Sequence, residues 1–319
     1  MMPGMEGNRM RIEASAVSAA GPRGAVSPAS SNGAVTVSSV LLHPPAASLR
    51  APTILVFDSG LGGLTVFREL ARTRPDARFI YAADDAVFPY GSLSEDELVA
   101  RVTAVMDVLI ARTAPDAVVI SCNTASTLVL APLRARFSIP FVGTVPAIKP
   151  ACENSLTREV SVLATPGTVK RDYTRKLVQD FAGDCHVTLV GSTCLAPLAE
   201  AAMRGEAVGD EAIAAEIAPA FVRAGPRRTD TVVLACTHYP LLLDRLRQVA
   251  PWPVRWVDPA AAIARRLSSL LGPVGFAASP APIRLFSTGR LLDPALVERI
   301  GGRRAGAGEI VTMAVPVQA

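Results

Sequence analysis

Two apolar segments of this chain end in the same way, and this repeated ending constrains the fold more than any other feature. Residues 118–120 lead into Cys122, Asn123 and Thr124, and residues 232–234 lead into Cys236, Thr237 and His238. Short apolar runs bounded by turn residues are typical of buried strands. In parallel α/β sheets, ligands bind just beyond the carboxyl ends of the strands. The repeat therefore predicts a cleft with a thiol on each side.

The remainder of the chain alternates between strand and helix patterns. Buried-strand runs occur at residues 53–57, 79–82, 141–143, 160–164, 187–190, 256–257 and 283–286. Helical spacing of apolar residues separates many of them, and this alternation is typical of a parallel sheet covered by helices. Because the two cysteine strands belong to two similar series, we expect an α/β fold. Its two similar parallel-sheet lobes would hold the active site in the cleft between them.

Composition and pattern also predict how the chain is divided. Residues 1–50 are rich in Ala, Ser, Gly and Pro without periodicity, which indicates a disordered N-terminal extension outside the fold. A dispensable tail or a wrongly chosen start codon explains it better than an organelle transit peptide. We assign residues 51–148 plus 261–319 to the first lobe and 149–260 to the second. A helix is expected over 210–224, with Pro219 as the place of a kink, and the last 20 residues are weakly specified.

The bulk composition excludes several classes of protein. Half of the residues are hydrophobic and 19% are charged, which is typical of a globular protein. The net charge of +4 comes without clustering of basic and aromatic residues, so nucleic-acid binding has no support. No apolar run approaches the roughly 18 residues of a membrane span. Five cysteines without a secretory segment favour free thiols in the cytoplasm over a disulfide framework.

Two opposed thiols suggest a specific kind of chemistry. Each cysteine lies at a predicted strand-to-helix turn, where free backbone N–H groups stabilise a thiolate and bind anionic ligands. If a substrate holds the thiols apart, one can remove a proton from carbon and the other can return one to the opposite face. Such an inversion needs no cofactor, and no GxGxxG or GxxxxGK[ST] motif indicates nucleotide binding.

Four short motifs show a resemblance to a known family. They are FDSGLGGLT at 57–65, PYG at 89–91, SCNTAS at 121–126 and ACTHYP at 235–240. In order and spacing, the chain resembles the glutamate racemases of the aspartate/glutamate racemase superfamily over about residues 53–300. At the position of His238 the chain resembles the glutamate racemases, because aspartate racemases usually have Glu there.

The resemblance implies an enzyme that interconverts L- and D-glutamate for peptidoglycan synthesis without pyridoxal phosphate, other cofactors or a metal. It implies that Cys122 and Cys236 are the two acid/base residues, that Asp58 assists the first and that His238 assists the second. The substrate-binding positions it implies are Asp58, Ser59, Tyr90, Gly91, Asn123, Thr124, Thr237 and His238. Family members are often homodimers, so we expect a homodimer with no nucleic-acid or membrane partner.

The chain departs from the family's pattern in places, and other interpretations of its residues stay open at this point. Ala83-Asp84 replaces the family's usual Gly-Asp, and Val87 and Phe88 stand where a polar or basic residue is common. The alternatives are a racemase for aspartate or another acidic amino acid, and a binding protein without turnover. Zinc on Cys236 and His238 and a Schiff base on Lys149 are disfavoured. We expect the remaining cysteines to be structural, namely Cys152, Cys185 and Cys194.

Overall fold

A computed structural model of the chain describes residues 9–12, 50–275 and 281–311. Its strands are β1 (Arg9–Ile12), β2 (Thr53–Asp58), β3 (Arg78–Ala83), β4 (Ala117–Ile120), β5 (Phe141–Gly143), β6 (Glu159–Ala164), β7 (His186–Gly191), β8 (Arg223–Ala224), β9 (Arg227–Arg228), β10 (Thr231–Ala235), β11 (Arg255–Val257), β12 (Ile283–Ser287) and β13 (Ala305–Ile310).

The helices alternate with these strands over most of the chain. They are α1 (Leu64–Thr73), α2 (Glu95–Thr113), α3 (Asn123–Arg136), α4 (Ile148–Asn154), α5 (Pro166–Val169), α6 (Asp172–Phe181), α7 (Leu195–Met203), α8 (Asp210–Ile217), α9 (Leu243–Val249), α10 (Ala260–Leu271) and α11 (Pro294–Gly301). Short 3₁₀ turns cover Asp85–Val87, Tyr90–Ser92, Ala218–Ala220 and Tyr239–Leu242. Within the described ranges, every helix is too short or too polar to cross a lipid bilayer.

Two separate sheets form the centres of two α/β lobes, which confirms the expected fold class. The first sheet has the strand order β13-β12-β3-β2-β4-β5, and all of its strands are parallel. The second has the order β1-β7-β6-β10-β11, which is parallel except for β1. Strands β4, β6 and β10 are buried along their whole length, because helices cover both faces of each sheet.

Each lobe has its own apolar core on both faces of its sheet. In the first lobe, α1, α10 and α11 pack on one face, and α2 and α3 pack on the other. In the second lobe, α4 and α6 lie on one face, and α7, α8 and α9 lie on the other. The chain crosses between the lobes before α4 and again before α10. Ile148 packs in the core of the second lobe and Ala260 in that of the first.

The structure differs from the sequence-based expectations at three places. Residues 9–12 form β1 and pair antiparallel with β7, so this part of the N-terminal extension is not disordered. The edge of β7 carries unpaired backbone groups, and an extended segment of any sequence can satisfy them. The rest of residues 1–50, apart from residue 50, lies outside the described residues.

The other two differences concern segments with weak local signals. Helix α8 ends at Ile217, and the expected helix over 210–224 continues only as a 3₁₀ turn before the hairpin of β8 and β9. Pro219 lies in that turn, where the lack of an N–H and the ring of proline disfavour continued α-helix. Near the C-terminus, residues 305–310 form β13 beside β12, although the sequence there has little strand character. Residues 312–319 lie outside the described residues.

The aromatic cluster under α1 provides a test of the first lobe's core. Phe67 is fully buried and packs edge-on against Phe79, with ring centroids 5.1 Å apart. Replacing Phe67 by Ala leaves a cavity, so we expect the free energy of unfolding to fall by about 3–5 kcal/mol. Leu270→Ala, at a residue that is 42% exposed, should cost less than about 1 kcal/mol. Urea unfolding of both variants would measure this, and equal losses would contradict the assigned core.

Candidate active site

The first thiol lies at the carboxyl end of β4 and at the start of α3. Cys122 is the residue before the first helical position, and its sulfur lies 3.9 Å from Oγ of Ser59. Ser59 and Asp58 follow β2, the neighbouring strand in the sheet. Burial, and then the carboxylate of Asp58, raise the pKa of the Cys122 thiol above its ordinary value. As long as Asp58 is charged, the protonated thiol form of Cys122 is therefore favoured.

The second thiol lies at the carboxyl end of β10 in the other lobe. The sulfur of Cys236 is 3.8 Å from Nδ1 of His238, whose Nε2 lies 3.1 Å from Oε1 of Glu200. Glu200 belongs to α7 and also accepts hydrogen bonds from the Leu61 N–H and from the Arg204 guanidinium. The carboxylate of Glu200 thus links the second thiol's histidine to the first lobe.

The histidine of this chain of contacts carries a strongly shifted pKa. Burial lowers the pKa of His238, but hydrogen bonding to Cys236 and Glu200 outweighs it and raises the pKa to about 10. The same contacts with His238 help to lower the pKa of Glu200, against the effect of burial. Nε2 of His238 can donate to Glu200 or accept from the Gly62 N–H, 3.2 Å away, but not both. The buried carboxylate favours the donating, protonated form.

Asp58 has hydrogen-bond partners near both thiols. It is fully buried at the end of β2 and accepts hydrogen bonds from Oγ1 of Thr237 at 3.0 Å and from the Gly60 N–H at 3.1 Å. Burial raises the pKa of Asp58, and the charge of His238 and the bond from Thr237 oppose that rise. Its carboxylate therefore lies among partners from both lobes.

A small cavity separates the two thiols. Its lining includes nine residues named from the sequence, which are Ser59, Tyr90, Gly91, Cys122, Asn123, Thr124, Cys236, Thr237 and His238. Asp58 lies behind this lining. The cavity has a volume of about 10 Å³, which is enough for about one water molecule. An amino acid can therefore bind only after the cavity lining moves.

Asn123 and Thr124 give the cavity polar groups suited to an anionic or zwitterionic ligand. The amide oxygen and nitrogen of Asn123 are buried and have no hydrogen-bond partner within the described structure. Oγ1 of Thr124 lies 2.9 Å from Oγ1 of Thr165 and 3.2 Å from Oγ1 of Thr168, both of which belong to the other lobe. Buried polar atoms without partners are costly, so these groups are suited to a polar ligand.

Sequence reasoning missed several residues of the site, among them Thr165 and Glu200. Thr165 lines the cavity from the end of β6, a further strand that ends at this cleft. The sequence pattern that could have indicated Thr165 is the Thr-Pro-Gly-Thr turn directly after a buried strand. Glu200 does not line the cavity, but it contacts His238 from α7, an apolar helix in which Glu200 is the one charged residue. Glu200 follows the buried Ala196 and Ala199 near the end of that helix. A carboxylate at such a position could have indicated a role in the site.

Other candidate sites receive less support from the geometry. Lys149 lies on the exposed surface of α4, 4.0 Å from Glu153, and away from the cavity. The part of the chain that the structure describes contains no group of three His, Cys, Asp or Glu side chains arranged for a metal ion. All five cysteines are free, and Cys152, Cys185 and Cys194 lie outside the cavity lining. A larger cavity of about 610 Å³, behind Glu200, contains no thiol.

Comparison with known proteins places this geometry in a family. The family model for Asp/Glu/hydantoin racemases matches residues 59–267. The glutamate racemase of Brucella ovis is 60% identical over 219 residues, which cover 68% of this chain and 79% of that protein. The Brucella anthropi glutamate racemase is 58% identical over 230 residues, covering 72% and 82%.

Solved structures give the same result. Escherichia coli glutamate racemase, in complex with L-glutamate and the activator UDP-MurNAc-Ala, matches with a TM-score of 0.75 and 41% identity. That match covers 83% of this chain and 100% of the other. A Bacillus anthracis glutamate racemase matches with a TM-score of 0.69 and 27% identity, covering 83% and 98%. The chain belongs to the Asp/Glu/hydantoin racemase family and, within it, to the glutamate racemases.

The raised pKa of His238 predicts how stability depends on pH. The folded pKa of about 10 lies above the ordinary 6.5, so protonation of His238 stabilises the folded protein fully below pH 6.5. This contribution is lost as the pH rises toward 10. Between pH 6.5 and 8.5, the wild-type free energy of unfolding should fall relative to His238→Gln, by up to about 1.4 kcal/mol per pH unit. Parallel pH profiles in denaturant titrations would contradict a protonated His238.

Proposed function

We propose that this protein interconverts L- and D-glutamate by a two-base reaction in which Cys122 and Cys236 exchange protons with Cα. The observation that carries the proposal is the placement of both thiols, from opposite lobes, on the lining of one buried cavity. Proton transfer by positioned side chains is general acid–base catalysis. A substrate between the thiols would present one face of Cα to each of them.

The proposed reaction balances its protons within the site. One cysteine thiolate removes the Cα proton and becomes a thiol, which leaves a carbanion at Cα. The thiol on the opposite face then donates its proton to Cα and becomes a thiolate. The two cysteines have exchanged protonation states, and the configuration at Cα is inverted. The enzyme returns to its starting state by running the reaction in the other direction or by exchanging protons with solvent.

Asp58 and His238 are proposed to assist different thiols. Asp58 lies beside Cys122 through Ser59, and its carboxylate can accept a proton from that thiol, since burial favours the neutral form of Asp58. A protonated His238, 3.8 Å from the Cys236 sulfur, stabilises negative charge on that sulfur and can return a proton to it. Glu200 holds His238 in place through the other ring nitrogen. The second thiol therefore has a positively charged neighbour, which the first thiol lacks.

Substrate binding is proposed to use polar groups at the strand ends rather than a cation. The lining includes hydroxyls of Ser59, Thr124 and Thr237 and the amide of Asn123, and it contains no Lys or Arg. The N-terminus of α3 adds backbone N–H groups that interact favourably with a carboxylate. Tyr90 and Gly91 border the cavity from the first lobe. Glutamate is preferred over aspartate because the similar proteins are glutamate racemases and one was solved with L-glutamate.

The wider role of the enzyme belongs to the same proposal. Supply of D-glutamate for peptidoglycan, a cytoplasmic location and a homodimeric state rest on the resemblance to glutamate racemases. The free cysteines support a reducing compartment. Light scattering of the purified chain, with the mass of two chains as the expected result, tests the dimer.

Proton exchange with solvent tests the reaction itself. In heavy water, incubation with L-glutamate should place deuterium at Cα and reduce the optical rotation toward zero, because the transferred proton comes from a solvent-exchanged thiol. NMR and polarimetry measure the two effects. Faster turnover of aspartate would favour the alternative substrate. Binding of D-glutamate without exchange of either enantiomer would instead establish a binding protein.

Single cysteine substitutions test the assignment of the two bases. Cys122→Ser and Cys236→Ser should each lower the racemisation rate by at least about 10²–10³-fold, because a hydroxyl is a far weaker acid than a thiol and is not deprotonated near neutral pH. Each variant should still exchange the Cα proton of one enantiomer, and the two variants should differ in which one. Cys194→Ser, at an exposed thiol outside the cavity, serves as the matched control. Wild-type racemisation by either active-site variant contradicts the two-base mechanism.

A further inference from the structure

A buried carboxylate organises the loop that borders the cavity on the side of the first lobe. Asp84 follows β3 and is fully buried. It accepts hydrogen bonds from the Tyr90 hydroxyl at 2.6 Å, from Oγ1 of Thr288 at 2.6 Å and from two nitrogens of Arg101 at 2.9 and 2.6 Å. These donors come from three separate parts of the chain. A buried charge is retained at low cost only when it is paired in this way.

Arg101 supplies the positive charge of this group. It lies on α2, and its side chain is only 16% exposed against the fully buried Asp84. The guanidinium approaches the carboxylate with Nε and Nη2 together, a bidentate geometry that fixes orientation as well as distance. Arg101 does not line the cavity, so it acts on the site only through Asp84.

Tyr90 joins Asp84 to the lining of the cavity. The residues from Phe88 to Gly91 line the cavity, and the Tyr90 ring packs beside Phe57 with centroids 6.5 Å apart. Burial, followed by the nearby Asp84 carboxylate, raises the pKa of Tyr90 well above its ordinary value. The hydroxyl therefore remains a donor to Asp84.

The C-terminal segment holds the other end of the same loop. Thr288 follows β12, and its hydroxyl accepts a hydrogen bond from the Ala86 N–H at 3.2 Å while donating to Asp84. Asp85 in turn accepts hydrogen bonds from the Thr288 N–H at 3.2 Å and the Gly289 N–H at 2.8 Å. The loop is thus fixed at its start by residues that lie some 200 positions later in the chain.

We propose that Arg101 and Thr288 are positioning residues for substrate binding, which hold the 85–91 loop against the cavity through Asp84 without touching the substrate. This inference rests on the proposed glutamate racemase activity. Because the pair acts on a binding loop and lies away from both thiols, its loss should weaken substrate binding more than proton transfer. The expected signature is a raised KM with little change in kcat.

Two substitutions remove the two anchors separately. Arg101→Met keeps the aliphatic stem and removes both hydrogen bonds, and Thr288→Val keeps the shape and removes the hydroxyl. We expect KM for glutamate to rise roughly tenfold in Arg101→Met and several-fold in Thr288→Val, with kcat changed less than about threefold. Arg101→Lys retains the charge but not the fork, so it should restore part of the affinity.

The control and a second readout separate positioning from general destabilisation. Asp107 lies on the same helix as Arg101 and forms a surface ion pair with Arg136 of α3, away from the loop. Asp107→Asn removes the negative charge of this pair and should leave KM unchanged. The pH profile of kcat should be the same in wild type, Arg101→Met and Thr288→Val, because both thiols keep their neighbours. Thermal unfolding of each variant shows whether the fold is intact.

The outcomes distinguish this inference from the proposed function. If the wild type fails to exchange the Cα proton of glutamate, the proposed function fails before any variant is compared. If the wild type is active, an unchanged KM in Arg101→Met and Thr288→Val overturns the positioning role. A lower kcat at constant KM, or a shifted pH profile, overturns it as well. Should Arg101→Met fail to fold, Thr288→Val decides the question by the same criteria.

Discussion

The close packing of one glycine turn against the other lobe is the contact on which the site depends. A Cβ atom at Gly62 would lie 2.5 Å from Nδ1 of His238 and 2.7 Å from Oγ1 of Thr237, so a side chain there would force the lobes apart. Glycine removes that barrier. The Leu61 N–H then reaches Glu200, and Thr237 reaches Asp58. Without this approach, the two thiols would line separate surfaces.

The two halves of the site are alike in backbone and unlike in charge. Each thiol follows a central parallel strand, but Cys122 faces the Asp58 carboxylate and Cys236 faces a histidine held by Glu200. A negative neighbour favours the thiol, and a protonated imidazole favours the thiolate. The two thiols therefore have neighbours of opposite charge. The proposed two-base reaction requires one cysteine to start as a thiol and the other as a thiolate.

Local patterns in the sequence predicted those parts of the molecule that local physics determines. The buried strands and the turns after them were readable from apolar runs ending in Cys122 and Cys236, and the fold class followed from their alternation with helices. Glu200 was missed because its role comes from packing between lobes, and α7 alone is a short apolar helix with a single carboxylate. Strands β1 and β13 were missed because sheet edges accept segments of weak intrinsic preference.

The distribution of contacts determines what must change when substrate binds. The closed cavity holds about one water, so a substrate as large as an amino acid requires the lining to move. Separation of the lobes would break the contacts of Thr237 with Asp58 and of Glu200 with Leu61, which join the lobes. The hydrogen bonds of Asp84 lie entirely within the first lobe and are not broken. The loop of Tyr90 can therefore stay in place during such an opening, while Thr237, the neighbour of the second thiol, loses and regains its hydrogen bond to Asp58.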